Sequence, residues 1–514
     1  MRSLAVSLNA EVGVIGAGAM GAGIAQIAAC AGHTVRLLDT RQGAADEAIH
    51  RILADLKKLE SRGKIEVGTQ ERVAENLRSA SAIEALADSG LVIEAIVEDL
   101  AIKKALYAEL EAVVGDECVI ASNTSSLSIT SLGADARAPG RFIGMHFFNP
   151  APRMPLVEVI KGVATDEAVA EAVFATALAW GKTPVHASST PGFIVNRVAR
   201  PFYAEALRLL QEGAADCATI DAVMRDCGGF RMGPFELMDL IGHDVNYAVT
   251  RSVFDAFYGD PRFSPSLMQL ELVNAKFLGR KSGRGFYDYS ADARATAPAC
   301  EAPGESSGRF EIVSSHPFGS ELARRLETAD ISYRSIAASH RDHRVAMVDG
   351  AALFLSDGRT ATHRANALGL NDVVLIDLML DAATAQRAAI SVSAQCSEAG
   401  RDAAVNLLQK AGFVVSRLRD TPGLAVTRTV AMLANEACDA VDQQVCSAEA
   451  VDIAMRGGVN YPAGPMQWAE QLGANTVLTV LDHLAQHYGE TRYRASSLLR
   501  QTVWSRKSFY AAVS

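Results

Sequence analysis

Short apolar runs alternate with longer helical stretches over the first part of the chain. Val12 to Ile15 is an apolar run that ends at glycine, as a buried strand does. Ala-rich sequence from Ala19 to Ala31 predicts a helix, and Thr34 to Leu38 predicts the next strand. Leu91–Ile96, Cys118–Ser122, Phe142–Phe148 and Val157–Ile160 read as further strands, with Leu100 to Val114 as a helix among them. Strands alternating with helices predict a mostly parallel, doubly wound α/β sheet.

The pattern breaks after Tyr289. Residues 291–309, ADARATAPACEAPGESSGR, are rich in Ala, Pro, Gly and Ser and read as a linker. Beyond it lies a repeat. Thr190-Pro191-Gly192 recurs as Thr421-Pro422-Gly423, an offset of 231 residues (423 − 192). The same offset carries Glu205 to Glu436, Ile220–Arg225 to Val451–Arg456, and Gly233-Pro234 to Gly464-Pro465. A gapless match over this span predicts a second helical domain. Between linker and second copy, runs such as Val373–Ile376 and Gly412–Val415 are strand-like.

Composition narrows the class. A chain of 514 residues is too long for one core, so about three or four domains are expected. The net charge of −10 argues against a nucleic-acid partner. The eight cysteines form no C-x-x-C pair, which fits a reducing cytoplasm and no zinc or disulfide scaffold. No metal site is expected. The first apolar run is the first strand, so neither a signal peptide nor a membrane span is expected.

The candidate chemistry begins at Gly16-Ala17-Gly18-Ala19-Met20-Gly21, a G-x-G-x-x-G between strand and helix. By itself it is equally a tight turn. Its context favours a dinucleotide site: Gly16 makes the turn, Gly18 lets backbone approach a pyrophosphate, and Gly21 lets helix pack on sheet. Asp39 ends the next strand, where a ribose-binding carboxylate belongs, and favours NAD over NADP; Arg41 beside it weakens that preference. Three later stretches fall at strand ends, where such sheets place ligands: Ser122–Ser126, Gly144–Pro150 and Leu156–Ile160. Oxidising an alcohol needs a base for the hydroxyl proton, a role that a histidine side chain suits, and His146 is the candidate, with Glu158 to fix its tautomer. The two meet if the segment between them turns the chain back. Ser125 or Asn149 is a candidate to orient the substrate oxygen. Singly, each has a plainer reading: a core histidine, a structural ion pair, a helix cap.

VGVIGAGAMGAGIAQ, SNTSSLSIT, GMHFFNPAPRMPLVEVI, TPGFIVNRV and GPFELMDLIG occur in that order, and the chain resembles the L-3-hydroxyacyl-CoA dehydrogenase family from about Glu11 to Tyr289. The resemblance implies NAD as cofactor and oxidation of an acyl-CoA. It implies His146 as catalytic base, Glu158 as its partner and Ser125 on the substrate's 3-oxygen. Asn196 would complete the site from the helical side, with Glu98 and Lys103 as cofactor contacts beyond Asp39. Asn149 is a lesser cofactor candidate. For CoA, Lys57 and Lys64 fall in the expected helical region, though a solvated basic face explains them equally.

The implied organisation is an α/β Rossmann-like domain (1–188), an all-α domain (189–290), the linker, a degenerate Rossmann-like domain without a cofactor loop (310–419) and a second all-α domain (420–514). The tail resembles the duplicated C-terminal domain of longer family members. The repeat offset carries Asn196 to Thr427, His146 to Asp377 and Glu158 to Ala389, so one active site per chain is expected. Helical domains of this family pair between subunits; a tandem copy would pair them within one chain and leaves a homodimer open. Both 3-hydroxybutyryl-CoA and the 3-hydroxyadipyl-CoA of phenylacetate catabolism fit as substrate. Arg153 and Arg231 are candidates for a distal carboxylate, with a surface role as the alternative. Two rivals stand beside this reading: a non-catalytic crystallin-like protein, and a hydroxy-acid dehydrogenase that uses a lysine base without CoA.

Overall fold

A computed structural model describes residues 10–304, 308–338 and 343–511. The chain forms two compact units. One runs from the start of the described chain to Arg197 and takes in Ala440–Val459; the other holds Val198–Asp439 and the residues from Asn460 onward.

The first unit is built on eight strands: β1 Glu11–Ile15, β2 Val35–Leu38, β3 Leu77–Ala80, β4 Ser89–Glu94, β5 Val119–Ser122, β6 Phe142–Phe147, β7 Leu156–Lys161 and β8 Thr183–Ser188. Their order is β3-β2-β1-β4-β5-β6-β7-β8. Every pair is parallel except β6 with β7, which run antiparallel. The central strands read as continuous apolar runs because helices cover both faces; Val12, Val14, Leu91, Val92 and Ile93 are fully buried. Sequence patterning does not mark β8, whose Pro184 is admissible because the strand is at the sheet edge.

The second unit carries seven strands: β9 Phe310–Ile312, β10 Arg334–Ser335, β11 Ala346–Val348, β12 Ala351–Leu355, β13 Val373–Ile376, β14 Arg387–Val392 and β15 Val414–Arg417. The order is β10-β9-β11-β12-β13-β14-β15. This sheet is less parallel than the first, because β11 runs antiparallel to both β9 and β12, and β13 to β14. The 231-residue offset extends into it. It superimposes β7 on β14, and the helix Glu167–Ala179 on the helix Glu398–Lys410, residue for residue. Even the strained turn before each helical repeat recurs: Gly192 and Phe193 have φ of 75° and 46°, and Gly423 and Leu424 have 72° and 51°. Phe193 and Leu424 are non-glycine residues in the left-handed region, a conformation that costs about 1 kcal/mol or more and needs support from the surrounding fold.

Within each unit, one helix of a helical repeat lies on the other repeat's sheet. In the first unit the helix Ala448–Val459 packs on β7 and β8, and Ser188 donates its N–H to Val445 O at 2.8 Å. Gly458 is tight against this sheet: a Cβ there would stand 2.8 Å from Leu156 Cδ2. In the second unit the matching helix, Cys217–Asp226, packs on β14, and Arg419 N–H donates to Ala214 O at 2.9 Å. Arg387 Nε donates to Asp226 Oδ2 there at 2.9 Å.

Two buried cation clusters tie first-repeat helices to second-repeat helices inside the second unit. Arg428 is fully buried; it bonds Glu205 at 2.6 Å, and its other donors reach Glu212, Tyr488 and Tyr493. Arg262 bonds Glu436 at 2.8 Å and also Asp439.

Candidate active site

The glycine loop leaves β1 at Gly16, whose φ is +104°, and leads into the helix Ala19–Cys30. A Cβ on Gly16 would come within 2.5 Å of Ala95 O, and one on Gly21 within 1.8 Å of Gly16 O. Only glycine fits either place. Gly18 differs: a Cβ there would meet nothing within 4 Å, so its space opens outward. Ala19 is exposed, Met20 is half-buried, and no side chain caps the helix that they begin. Its first-turn N–H groups therefore remain available to a phosphate. Asp39 follows β2 and accepts from Ala17 N–H at 2.7 Å and Arg41 N–H at 2.9 Å. Arg41 turns its guanidinium to Glu47 instead. A cavity of about 600 Å³ lies beside Gly18, Asp39 and Arg51. Open glycine, uncapped helix and carboxylate fit the adenosine diphosphate half of NAD, and the room matches small-molecule sites of about 300–1,000 Å³.

His146 sits on β6 directly opposite Glu158 on β7. The chain reverses between the strands through the segment 148–155, so the antiparallel register brings the pair together. Nδ1 of His146 lies 2.7 Å from Glu158 Oε2. Glu158 is 0% exposed, and its other oxygen accepts from the N–H groups of Ile194 at 2.9 Å and Val195 at 3.0 Å. Oriented at both oxygens, Glu158 holds the imidazole with Nδ1 as its donor. Nε2 is then the nitrogen that can accept a proton. Phe148 and Phe193 flank the ring, with centroids 4.5 and 5.9 Å away. His146 is 6% exposed, so its imidazole stands in a largely apolar setting.

Asn196 is half-buried and follows directly on the Ile194–Val195 amides that Glu158 holds. Ser125 follows β5, and its N–H donates to Glu98 Oε1 at 2.9 Å. The same oxygen accepts from Thr124 Oγ1 at 2.6 Å and Ser126 Oγ at 3.0 Å. Burial pushes the Glu98 carboxyl up, but the hydrogen bond from Thr124 and the charge of Lys103 outweigh it and hold the group below its ordinary value.

Lys103 is placed differently from a direct cofactor contact. It is 1% exposed, and its ammonium bonds Glu94 at 2.6 Å and Glu98 at 3.3 Å. Glu94 also accepts from Tyr107 OH at 2.7 Å and Ser122 Oγ at 2.8 Å. Sequence reasoning passes over Glu94, though a carboxylate closing the apolar run Leu91–Ile93 is a signal of this network. It also passes over Asn123, whose Oδ1 accepts from Phe147 N–H at 2.8 Å and so links β5 to the strand of His146.

Other candidates stay at the surface. Asn149 is exposed in the turn after β6. Lys57, on the helix Ala44–Ser61, and Lys64, just past it, are exposed and make no ion pair among the described residues. Arg153 and Arg231 are also exposed.

At the matching place of the second sheet, Asp377 follows β13. It is fully buried and accepts from the N–H groups of Ala425 at 2.9 Å, Val426 at 2.8 Å and Thr427 at 2.9 Å. Burial raises its pKa against those hydrogen bonds. Ala389 stands where the pattern of the first sheet has Glu158, so no imidazole–carboxylate pair exists there.

The comparisons agree with this division. The model of the 3-hydroxyacyl-CoA dehydrogenase NAD binding domain matches residues 11–190. The C-terminal domain model of that family matches twice, at 192–289 and 423–509. Residues 353–422 match a 3-hydroxybutyryl-CoA dehydrogenase reduced Rossmann-fold domain. The chain is 44% identical over 490 residues to the 3-hydroxyadipyl-CoA dehydrogenase of Escherichia coli (strain K12), covering 95% of this chain and 96% of that one. It is 40% identical to the 3-hydroxybutyryl-CoA dehydrogenase of Clostridioides difficile, over 54% of this chain and 99% of the relative. A crystal structure of 3-hydroxybutyryl-CoA dehydrogenase from Escherichia coli K12 superimposes with a TM-score of 0.88 at 43% identity, covering 97% of this chain and 98% of that one. The chain belongs to the 3-hydroxyacyl-CoA dehydrogenase family and carries that family's NAD-binding domain once and its C-terminal domain twice.

Proposed function

We propose that the chain oxidises (S)-3-hydroxyadipyl-CoA to the 3-oxo ester with NAD, at one active site, in its first half. The hydrogen bond from His146 to Glu158 is the observation that carries the reading. NAD, when bound at the glycine loop, supplies the acceptor for the two electrons that leave C3. His146 Nε2 takes the hydroxyl proton, and Glu158 stabilises the imidazolium that forms. Ser125 and Asn196 orient the 3-oxygen. Glu98 steadies the Ser125 loop, and buried Lys103 holds Glu98. Asp39 selects NAD by bonding the ribose hydroxyls.

The adipyl ester is favoured by the identity to the E. coli 3-hydroxyadipyl-CoA dehydrogenase along nearly the whole chain. The butyryl ester is the second reading, because relatives of both architectures are named for it. Initial rates with both esters decide: kcat/KM at least tenfold higher for the adipyl ester supports the first, and the reverse order supports the second.

The tandem helical domains act as an internal pseudo-dimer. The bonds Ser188–Val445 and Arg419–Ala214, equivalent by the repeat offset, support this, since each joins one repeat's sheet end to the other repeat's helical segment. A cytoplasmic location suits eight cysteines that form no disulfide among the described residues.

A further inference from the structure

The second copy has lost the base but not the cleft. Within the second unit, a cavity of about 410 Å³ is lined by Ser356, Leu378, Met379 and Thr427. By the repeat offset these match Ser125, Phe147, Phe148 and Asn196. The remaining walls are chiefly apolar, with Phe318 and Val480 among them. Two polar side chains keep their places at the inner end. Thr427 Oγ1 is engaged, donating to Asp377 at 2.8 Å and accepting from Leu378 N–H at 3.2 Å. Ser356 Oγ is buried and has no hydrogen-bond partner among the described residues. A buried hydroxyl without a partner costs stability unless something supplies one.

A dinucleotide cannot be the occupant. Counting back from Gly319, the turn after β9 carries Ser314 and His316 where the loop has Gly16 and Gly18. His316 Nδ1 accepts from Phe318 N–H at 3.2 Å and so caps the helix Pro317–Thr328 at the place where a phosphate would bind. Only the packing glycine survives: a Cβ on Gly319 would stand 2.2 Å from Val313 O, as on Gly21 it would meet Gly16 O. The cavity therefore offers mostly apolar walls with the unpartnered Ser356 hydroxyl among them, His316, Gln471 and Thr476 as further polar lining, and no lysine or arginine for an anion.

We infer that this cavity binds an uncharged acyl chain of medium length, with its carbonyl or hydroxyl oxygen on Ser356 Oγ, as a non-catalytic ligand site. The inference rests on the reading of Ser125 as the residue that meets the substrate oxygen in the first copy. The volume falls within the range of small-molecule sites, about 300–1,000 Å³.

The test uses the full chain and 2-decanone, an uncharged ketone with a single oxygen, titrated by calorimetry with NADH saturating. Three variants accompany the wild type: Thr476→Trp, at the exposed rim of the cavity; Ser356→Ala; and His146→Gln in the first copy. The expected result is saturable binding that falls about fivefold in Ser356→Ala, as loss of one hydrogen bond implies. Thr476→Trp is expected to weaken it by about tenfold or more by overfilling the mouth, and His146→Gln to leave it unchanged. Both second-copy variants keep wild-type dehydrogenase turnover, which also reports that they fold. Absence of saturable binding, or binding untouched by Thr476→Trp and Ser356→Ala, overturns the inference. Loss of binding in His146→Gln alone overturns it too, because the ketone then sits in the first copy. Failure of the catalytic reading shows separately, as turnover retained by His146→Gln.

Discussion

Asp377 does for the second copy what Glu158 does for the first, though it stands at the position of His146. Glu158 accepts from Ile194 and Val195 N–H, and Asp377 accepts from Ala425 and Val426 N–H, the same two amides one repeat later. One carboxylate has kept the structural task of tying sheet to helical turn, while the proton acceptor has gone. Asp377→Asn is accordingly expected to leave turnover of the hydroxyacyl ester within about twofold. Its thermal midpoint is expected to fall by several degrees, since a buried, multiply bonded group is disturbed. Melting curves and initial rates on the same preparation check both.

In the proposed reaction Glu158 orients the His146 ring and supports a charge that appears only during turnover. Glu158→Gln keeps an oxygen for Ile194 and Val195 but gives His146 a neutral partner. The expected outcome is a fall in kcat of about a hundredfold or more, with the melting temperature near wild type. Steady-state kinetics beside calorimetry test that split.

Asp39 is expected to set cofactor choice. Asp39→Ala should raise KM for NAD about tenfold or more and improve the relative use of NADP, because the carboxylate that would repel a 2′-phosphate is gone and Arg41 remains. Parallel initial rates with the two cofactors measure it.

Arg428→Met leaves Glu205 with one guanidinium fewer in a site closed to water. Breaking such a buried pair costs about 3–5 kcal/mol. Denaturant unfolding should report a loss of that order, while the NADH affinity of the first copy is retained. The acid limb has the same origin. Burial alone would raise the Glu205 pKa, but Arg208 and Arg428 outweigh it and hold the group below its ordinary value of 4.5. The native state thus takes up this proton less readily than the unfolded chain. Its contribution is complete above about pH 4.5 and is lost as pH falls below that. Asp439, lowered by Arg262, and Glu98 act in the same direction. Melting temperatures between pH 6 and pH 3 should fall steeply at the lower end.

Cutting the chain after about residue 300 removes Ala440–Val459, which packs on β7 and β8 within the first unit. The fragment is expected to be poorly soluble or to self-associate, with much reduced activity. A soluble, monomeric, fully active fragment would contradict the pseudo-dimer.

Much of this was legible in the sequence because it is local. The glycine loop, Asp39 and the run from His146 to Glu158 each lie within one strand–turn unit, where period and turn chemistry decide the structure. The repeat is legible because no gap interrupts it, and its offset leads from His146 to Asp377. Long-range placement was not legible. Nothing in the residues around Val445 or Gly458 says that their helix lies on β7 rather than on its own repeat's sheet. Lys103 reads as a cofactor contact by resemblance, and only the folded chain shows its ammonium buried between Glu94 and Glu98. Antiparallel β11 is three residues long, too short for its apolar pattern to reveal direction.

The central claim is a single base, in the first copy. The most direct measurement is the rate of NADH formation from 3-hydroxyadipyl-CoA by His146→Gln, with NADH affinity measured on the same protein. The account predicts a fall in kcat of about a hundredfold to ten-thousandfold with cofactor affinity unchanged within about twofold. Turnover near that of the wild type would contradict it, because Asp377 and Ala389 stand where the first sheet has His146 and Glu158.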